Sequence, residues 1–445
     1  MKMKRVNAVI LSAALIVGLM TGCGSTDKAE DTKAEISTEQ TPASVETPAA
    51  SSEVPATEES SVKTIDPCEI TFWHAMSGQQ ETTLTELTDT FNNNNEYGIT
   101  VTLVNQGYYS DLSTKLTANA AADTLPDMTQ AYNSWLTAYT DKIIPLDDFV
   151  ADDFDDYEDI IESYRNECSQ FGFISALPFN KSTYVYFYNK TLFDELGLAA
   201  PETWEDMKKI GETLKNEKDM VSVGFDDLSG ALEAAVHQNG TDFFSKEGAL
   251  FDNEQGKEAL GYLLDLYANG YARLVGEDGY FSGVLSNQLI GAYIGSSTGV
   301  SYIDTSTGWE LGVAALPGNT EKAANQAGTN LVMFAKDENK QKAVWEYMKY
   351  LTSVDSTVKW AMETGYLPVR NSAYESDTYQ EFMKNDPTAT AAYSQADAFF
   401  TQPTFEGSYD MMAVINTKLE EFILSGTDAE AALSELVEEI NAQVQ

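Results

Sequence analysis

One of the two histidines in this chain, His74, closes an apolar run, Ile70-Thr71-Phe72-Trp73, and a small polar turn follows at Ser77-Gly78. A titratable residue at a strand-to-helix turn is where many α/β enzymes hold a catalytic group. Catalysis needs partners for it. A Ser-His-Asp arrangement needs a nucleophile beside the base, but there is no G-x-S-x-G, and the other histidine is the distant His237. Zinc ligation finds no H-E-x-x-H or C-x-x-C, and nucleotide binding finds no G-x-x-x-x-G-K-[ST] or G-x-G-x-x-G. The stretch "DDFDDYED", residues 152–159, lacks the glycine and the spacing of a calcium loop and reads as a solvated acidic loop. A carboxylate pair for glycoside hydrolysis stays open, because among 70 acidic residues any pair is uninformative. A chain without triad, metal ligands or cofactor motif points to a binding site, not an active site.

The elements that would position such a site alternate. "EITFW" reads as a buried strand, and Leu84, Leu87 and Phe91 then recur at helical spacing until Asn92 to Asn95 end the helix. "GITVTLVN" is a second strand, Ser110 caps a helix carrying Leu112, Leu116 and Ala120, and "DMTQAY" is a third strand. This β-α-β-α-β order predicts a parallel sheet with helices on its faces. "FGFISALPF" and "TYVYFYN" read as paired strands crossing toward a second unit. That unit opens with a helix at "PETWEDMKKIGETL", capped by Thr203, followed by "VSVGF" and by "IGAYIG", "WELGVAAL" and "NLVMFAK". From Asn339 the chain is almost all helix, ending in a stripe of Ala432, Leu433, Leu436, Val437 and Ile440. The expected fold class is α/β with two lobes, a ligand cleft between them and a helical C-terminal region. Ligands of such sheets lie beyond the carboxyl ends of strands, so His74, Tyr109 and Asn133 would share one rim.

The chain has 445 residues and a net charge of −43, with 27 basic residues. That balance argues against nucleic acid, which needs a basic footprint, and against a polybasic membrane surface. At the N-terminus, Lys2, Lys4 and Arg5 precede an apolar run from Val6 to Met20, and Thr21-Gly22-Cys23 matches a cleavage site. Residues 1–22 are expected to be an export signal. The Gly-Cys pair resembles a bacterial lipobox, in which Cys23 is lipidated and becomes the new N-terminus. Residues 23–66, rich in Ser, Thr, Ala, Glu and Pro, cannot bury a core and should be a disordered tether. Cys68 and Cys168 could form a bridge after export, but two buried free thiols is the simpler reading.

Several segments then carry a resemblance: "ITFWHAMSGQQETTLTELTDTFN", "GYYSDLSTKL", "LPDMTQAY", "LPFNKSTYVYFYNKTLFDELGL", "PETWEDM", "GSSTG" and "METGYLPVR". In this combination the chain from about Glu69 onward resembles the extracellular solute-binding proteins of bacterial ABC carbohydrate importers, and among them those that bind glycerol-3-phosphate. The resemblance implies two lobes, here 69–181 with 327–366 and 182–318 with 367–445. It implies no enzyme activity and no cofactor. It implies a carbohydrate captured in the cleft by a monomer and handed to ABC permease subunits, on the outer face of the cell membrane. It places ligand contacts at Tyr109, Asn133, Ser182, Ser296, Gly328 and Tyr366. His74, by position, either touches ligand or packs beneath the loop.

Two of the implied positions depart from the phosphate binders. Asn133 stands where they have a glutamate, and Ala413 where they have an arginine. Beyond the signal the arginines are Arg165, Arg273 and Arg370 alone, few groups with which to hold a dianion. A neutral mono- or oligosaccharide is the expected ligand, and Tyr108, Trp135, Tyr184 and Trp309 are candidate rings to stack on it. The alternatives are a polyol-phosphate binder, a secreted carbohydrate-active enzyme, and an adhesin or sensor that serves no permease.

Overall fold

The computed structural model describes residues 64–444, so the expected signal, Cys23 and the tether up to residue 63 lie outside the described residues. Ordered packing begins before the expected tether boundary at residue 66. Ile65 is buried, and the Asn339 side chain clasps the Asp66 backbone, accepting from its N–H at 2.8 Å and donating to its carbonyl at 2.9 Å.

The strands are β1 (Glu69–His74), β2 (Thr100–Asn105), β3 (Met128–Ala131), β4 (Leu177–Asn189), β5 (Val223–Phe225), β6 (Phe244–Ser245), β7 (Gly248–Ala249), β8 (Ala292–Ser296), β9 (Leu311–Ala314), β10 (Ala324–Met333) and β11 (Phe399–Thr401). They form one sheet in the order β2-β1-β3-β10-β4-β8-β5, with β11 on β10 and β9 on β4, while β6 and β7 make a separate hairpin. β1 lies parallel to β2 and β3, as the alternating pattern predicts. The two halves of the sheet are joined by β4. Its first half pairs antiparallel with β10, and from Tyr184 onward it pairs with β8 and β9.

The expected pair of crossing strands is thus a single 13-residue strand, and residues 171–176 lie outside it. The polar stretch Asn180-Lys181-Ser182 reads in sequence as a break between two strands, the second opening at Thr183. In the fold all four are buried in the ladder with β10. Lys181, with 0% exposure, is held by both carboxylate oxygens of Glu167 at 2.9 Å. Gln326 and Asn330 of β10 donate to the same carboxylate, at 2.7 and 3.0 Å.

Each half has its own apolar core. In the first, Ile70 and Phe72 of β1 meet Leu84, Leu87 and Phe91 of the helix Gly78–Asn94 on one face. Leu112 and Leu116 of the helix Tyr109–Ala122 pack with Trp135 and Cys168 on the other. In the second, the helices Trp204–Lys218, Leu228–Gln238, Glu254–Ala268, Ser408–Ser425 and Ala429–Gln443 bury Leu214, Leu232, Leu263, Ile415 and Leu436. The final apolar stripe is buried as expected. Helix Trp204–Lys218 starts at Thr203, whose hydroxyl takes the Asp206 N–H while Asp206 takes the Thr203 N–H at 3.2 Å. Among the described residues no helix is long and apolar enough to cross a membrane.

Three local expectations change. The helix expected to be capped by Ser110 starts at Tyr109, and the Asp111 carboxylate takes the N–H of its cap residue, Tyr108, at 3.0 Å. The acidic run 152–159 is not merely solvated. Asp156 and Asp159 reach the guanidinium of Arg370, which is 2% exposed, at 2.7 and 3.3 Å. Cys68 and Cys168 are free thiols, but only Cys168 is fully buried.

An uncompensated interior charge is strongly unfavourable, so removing one member of the Glu167–Lys181 pair should be costly. Lys181→Ala is expected to lower stability by about 3–5 kcal/mol in urea unfolding, and Lys181→Met combined with Glu167→Gln by clearly less.

Candidate functional site

The carboxyl ends of the first-half strands and the matching edge of the second half supply a group of aromatic rings and acceptors. Tyr109, the first residue of its helix, places its hydroxyl 3.1 Å from that of Tyr366. Tyr366 follows the helix Val354–Thr364 and its left-handed cap Gly365, and its ring lies parallel to Trp360, with centroids 5.5 Å apart. Tyr132 sits 5.5 Å from Tyr109, and Trp135 sits 5.0 Å from Tyr132. Edge-on to Trp135 at 6.1 Å is Tyr409, from the helix Ser408–Ser425 of the second half. A second link joins the two sides where the hydroxyls of Ser77 and Tyr302 approach to 3.3 Å.

Near these rings, Asp226-Asp227 follow the last residue of β5, Phe225. Asp227 caps the helix Leu228–Gln238 through Oδ1, which accepts from the Gly230 N–H at 3.1 Å and from the Ser229 hydroxyl at 2.7 Å. Its Oδ2 accepts from the Tyr184 hydroxyl at 2.8 Å. Asp226 accepts from the Phe281 N–H at 2.8 Å, and burial pushes its carboxyl up to about 6. Deeper on the same helix, burial pushes Glu233 up to about 8. Burial also drives the hydroxyls of Tyr132, Tyr184 and Tyr366 well above the ordinary tyrosine value, so all are neutral donors.

The residues singled out in sequence separate into two sets. Tyr109 and Tyr366 meet directly. Ser182 and Gly328 stand on neighbouring rungs of the β4–β10 ladder, opposite Ala327 and Lys181. Gly328 has φ +113°, and a Cβ there would lie 1.7 Å from the Asn180 carbonyl, so only glycine fits. Ser296 is half-exposed, pairs with Tyr184 across β4–β8, and keeps its hydroxyl 3.0 Å from that of Thr298. His74 and Asn133 instead turn inward. His74 is 1% exposed, and its Nδ1 accepts the Met76 N–H at 3.3 Å, which holds the turn after β1. Burial lowers its pKa. Asn133 is buried, donating to the Glu167 carbonyl and accepting from Asn330 at 3.0 Å. The shared rim expected for His74, Tyr109 and Asn133 therefore reduces to Tyr109.

Of the stacking candidates, Trp309 belongs to an apolar cluster with Phe187 and Tyr293, while Tyr108 is 78% exposed. Ala413 lies exposed one turn after Tyr409 on the same helix. Arg165 pairs with Glu158, Arg273 with Asp278 at 2.6 Å, and Arg370 with Asp156 and Asp159, so every described arginine already has a carboxylate. No group of three or more metal-ligating side chains occurs among the described residues. Asp226 and Asp227 were missed in sequence, although they directly follow the strand-like "VSVGF" and open a helix. The same strand-end rule that selected His74, applied to the second lobe, points to them.

Two measurements check this geometry. Gly328→Ala is expected to cost more than about 1 kcal/mol in stability, through both strain and the carbonyl clash. Glu233 tests the buried carboxyl. Its folded pKa lies above the unfolded value, so its contribution is complete below the ordinary glutamate value of 4.5 and is lost as pH rises through about 8. Glu233→Gln should flatten that decline, and thermal unfolding at pH 5 and pH 8 should show the variant gaining on the parent at the higher pH.

Residues 86–391 match the bacterial extracellular solute-binding protein family. Among curated relatives, the sn-glycerol-3-phosphate-binding periplasmic protein UgpB of Pectobacterium atrosepticum is 26% identical over 354 residues, 74% of this chain and 79% of the relative. Among solved structures, the cyclic α-maltosyl-1,6-maltose binding protein of Arthrobacter globiformis superposes with a TM-score of 0.74 at 24% identity, covering 85% of this chain and 99% of that one. UgpB of Mycobacterium tuberculosis in complex with glycerophosphocholine superposes with a TM-score of 0.75 at 21% identity, covering 85% and 98%. The fold is the two-lobed α/β fold of those proteins, with a ligand cleft between the lobes, and the chain belongs to the bacterial extracellular solute-binding protein family.

Proposed function

We propose that this protein captures a neutral mono- or oligosaccharide between its lobes and delivers it to the permease subunits of an ABC importer, acting as a monomer and without turnover. The observation that carries the reading is a site of tyrosine and tryptophan rings and carboxylate acceptors in a chain whose described arginines are each already paired with a carboxylate. Ring faces bury the apolar side of a sugar, and hydroxyls and carboxylates exchange hydrogen bonds with its polar edge. The sugar named for the Arthrobacter neighbour supports the same ligand class.

In this reading Tyr109, Tyr366 and Ser296 touch ligand, together with Tyr132, Trp135, Tyr184 and Asp227. Ser182 and Gly328 shape the floor, and His74 and Asn133 support the loops from within. The lobes divide near the crossing strands, 69–181 with 327–366 and 182–318 with 367–445. Cys23, lipidated, tethers the protein to the outer face of the membrane through the stretch to residue 63.

Titration calorimetry against glucose, galactose, maltose, maltotriose, glycerol-3-phosphate and glycerophosphocholine tests the ligand class. The expected result is saturable binding of at least one sugar, no detectable hydrolysis, and a smaller radius of gyration in solution scattering when sugar is bound. A response to glycerol-3-phosphate alone would favour the phosphate-binding relatives' ligand. Hydrolysis abolished by Asp227→Asn would favour an enzyme.

A further inference from the structure

Beneath the Tyr109–Tyr366 hydroxyl pair lies a feature that the family likeness does not assign. Gln130 of β3, Asn180 of β4 and Thr329 of β10 come from three adjacent strands, and each has 0% exposure. Asn180 and Thr329 face each other across the β4–β10 ladder, and Gln130 stands opposite Leu331, two residues on from Thr329 along the same strand. The β4–β10 ladder shifts register between Thr329 and Asn330, but all three side chains reach the Tyr109 hydroxyl and so lie on one side of the sheet. Burial pushes the Tyr109 hydroxyl's pKa up, and Tyr366, Asn180, Thr329 and Gln130 are all close enough to offset part of that rise. Yet Gln130 Nε2 and Oε1, Asn180 Oδ1 and Thr329 Oγ1 complete no hydrogen bond. Of the polar atoms on these three side chains, only Asn180 Nδ2 completes a hydrogen bond, to the Met76 sulfur at 3.4 Å, while the three side chains otherwise lie only within reach of the Tyr109 hydroxyl.

Four idle polar atoms in one place are unfavourable. Each leaves a desolvated group without compensation, and buried polar groups are nearly always paired. Apolar side chains of the same shape would serve the core better. Such local conflict is what a site selected for binding, not for stability, leaves behind. The donors and acceptors suit a group that both gives and takes hydrogen bonds: Gln130 offers one of each, Asn180 an acceptor, and Thr329 either.

We infer that Gln130, Asn180 and Thr329, with the Tyr109–Tyr366 pair, form a specificity subsite that reads a hydroxyl-bearing edge of the ligand. The inference rests on the sugar-binding reading. It assigns selectivity between sugars to strand residues at the floor of the cleft, while the rings on the loops supply contact area.

The test uses two shape-conserving variants, Gln130→Leu and Thr329→Val, in the full chain. Thermal unfolding is measured without ligand, and calorimetry with glucose, galactose, maltose and maltotriose. The expected result is a Tm held or raised in both variants, with the Kd of the best-binding sugar weakened by about tenfold or more and the ranking of the sugars altered. An unchanged Kd at unchanged Tm would show the polar atoms to be idle and overturn the inference. A lowered Tm with unchanged Kd would make the residues structural and overturn it equally. If the parent protein binds none of the four sugars, the sugar-binding reading falls first and the subsite falls with it.

Discussion

A lysine ammonium with no solvent exposure, Lys181, stands in the middle of the strand that joins the two lobes. It can be there only because Glu167 meets it with both oxygens, and because Gln326 and Asn330 fill the remaining acceptor sites of that carboxylate. The Tyr164 ring, 5.5 Å away, covers the cation. Such a pair is weak evidence for stability but good at choosing one register, since a slip by one residue would strand both charges. The register it selects sets Lys181 opposite Gly328, and it forces a left-handed glycine where β10 presses on the Asn180 carbonyl. The Leu367 N–H also bonds the Lys181 carbonyl at 2.6 Å, which brings Tyr366 beside the crossing. Three residues further along β4, the same strand delivers Tyr184 to Ser296 and Asp227. One interior charge pair thus ties Tyr366 on one side of the crossing strand to Tyr184 and Asp227 on the other.

The chemistry of the cleft follows from what is spent elsewhere. Each described arginine is committed to a structural carboxylate, and the surface is strongly acidic. On the proposed reading, what is left to recognise a ligand is ring area, tyrosine hydroxyls kept neutral by burial, and the two carboxylates that follow β5. That set is good at holding neutral, hydroxyl-rich molecules and poorly equipped to offset a phosphate dianion. In the inferred subsite, the floor beneath Tyr109 supplies the directional part of that recognition.

Much of the scaffold was legible from the chain. Leu84, Leu87 and Phe91, or Leu433, Leu436 and Ile440, show helical stripes that propensity and period both support. β1 carried more information than its strand assignment used. Its alternation puts Ile70, Phe72 and His74 on one face, the buried one, so period two alone turns His74 inward. The crossing strand was misread because Asn180-Lys181-Ser182 has the composition of a loop. Only a distant glutamate on another element makes it a strand.

The sequence by itself determined the two α/β lobes, the helical C-terminal region and the family resemblance, because periodicity, capping residues and motif order act over short separations. Tertiary structure alone decided which polar residues pair with one another. Tyr109 and Tyr366, separated by 257 positions, share a hydrogen bond. Glu167 answers Lys181, Asp156 answers Arg370, and Asn133 is claimed by the interior. A polar side chain's role depends on who its partner is, and in a fold whose strands cross between lobes the partner is set by long-range pairing that no local pattern records.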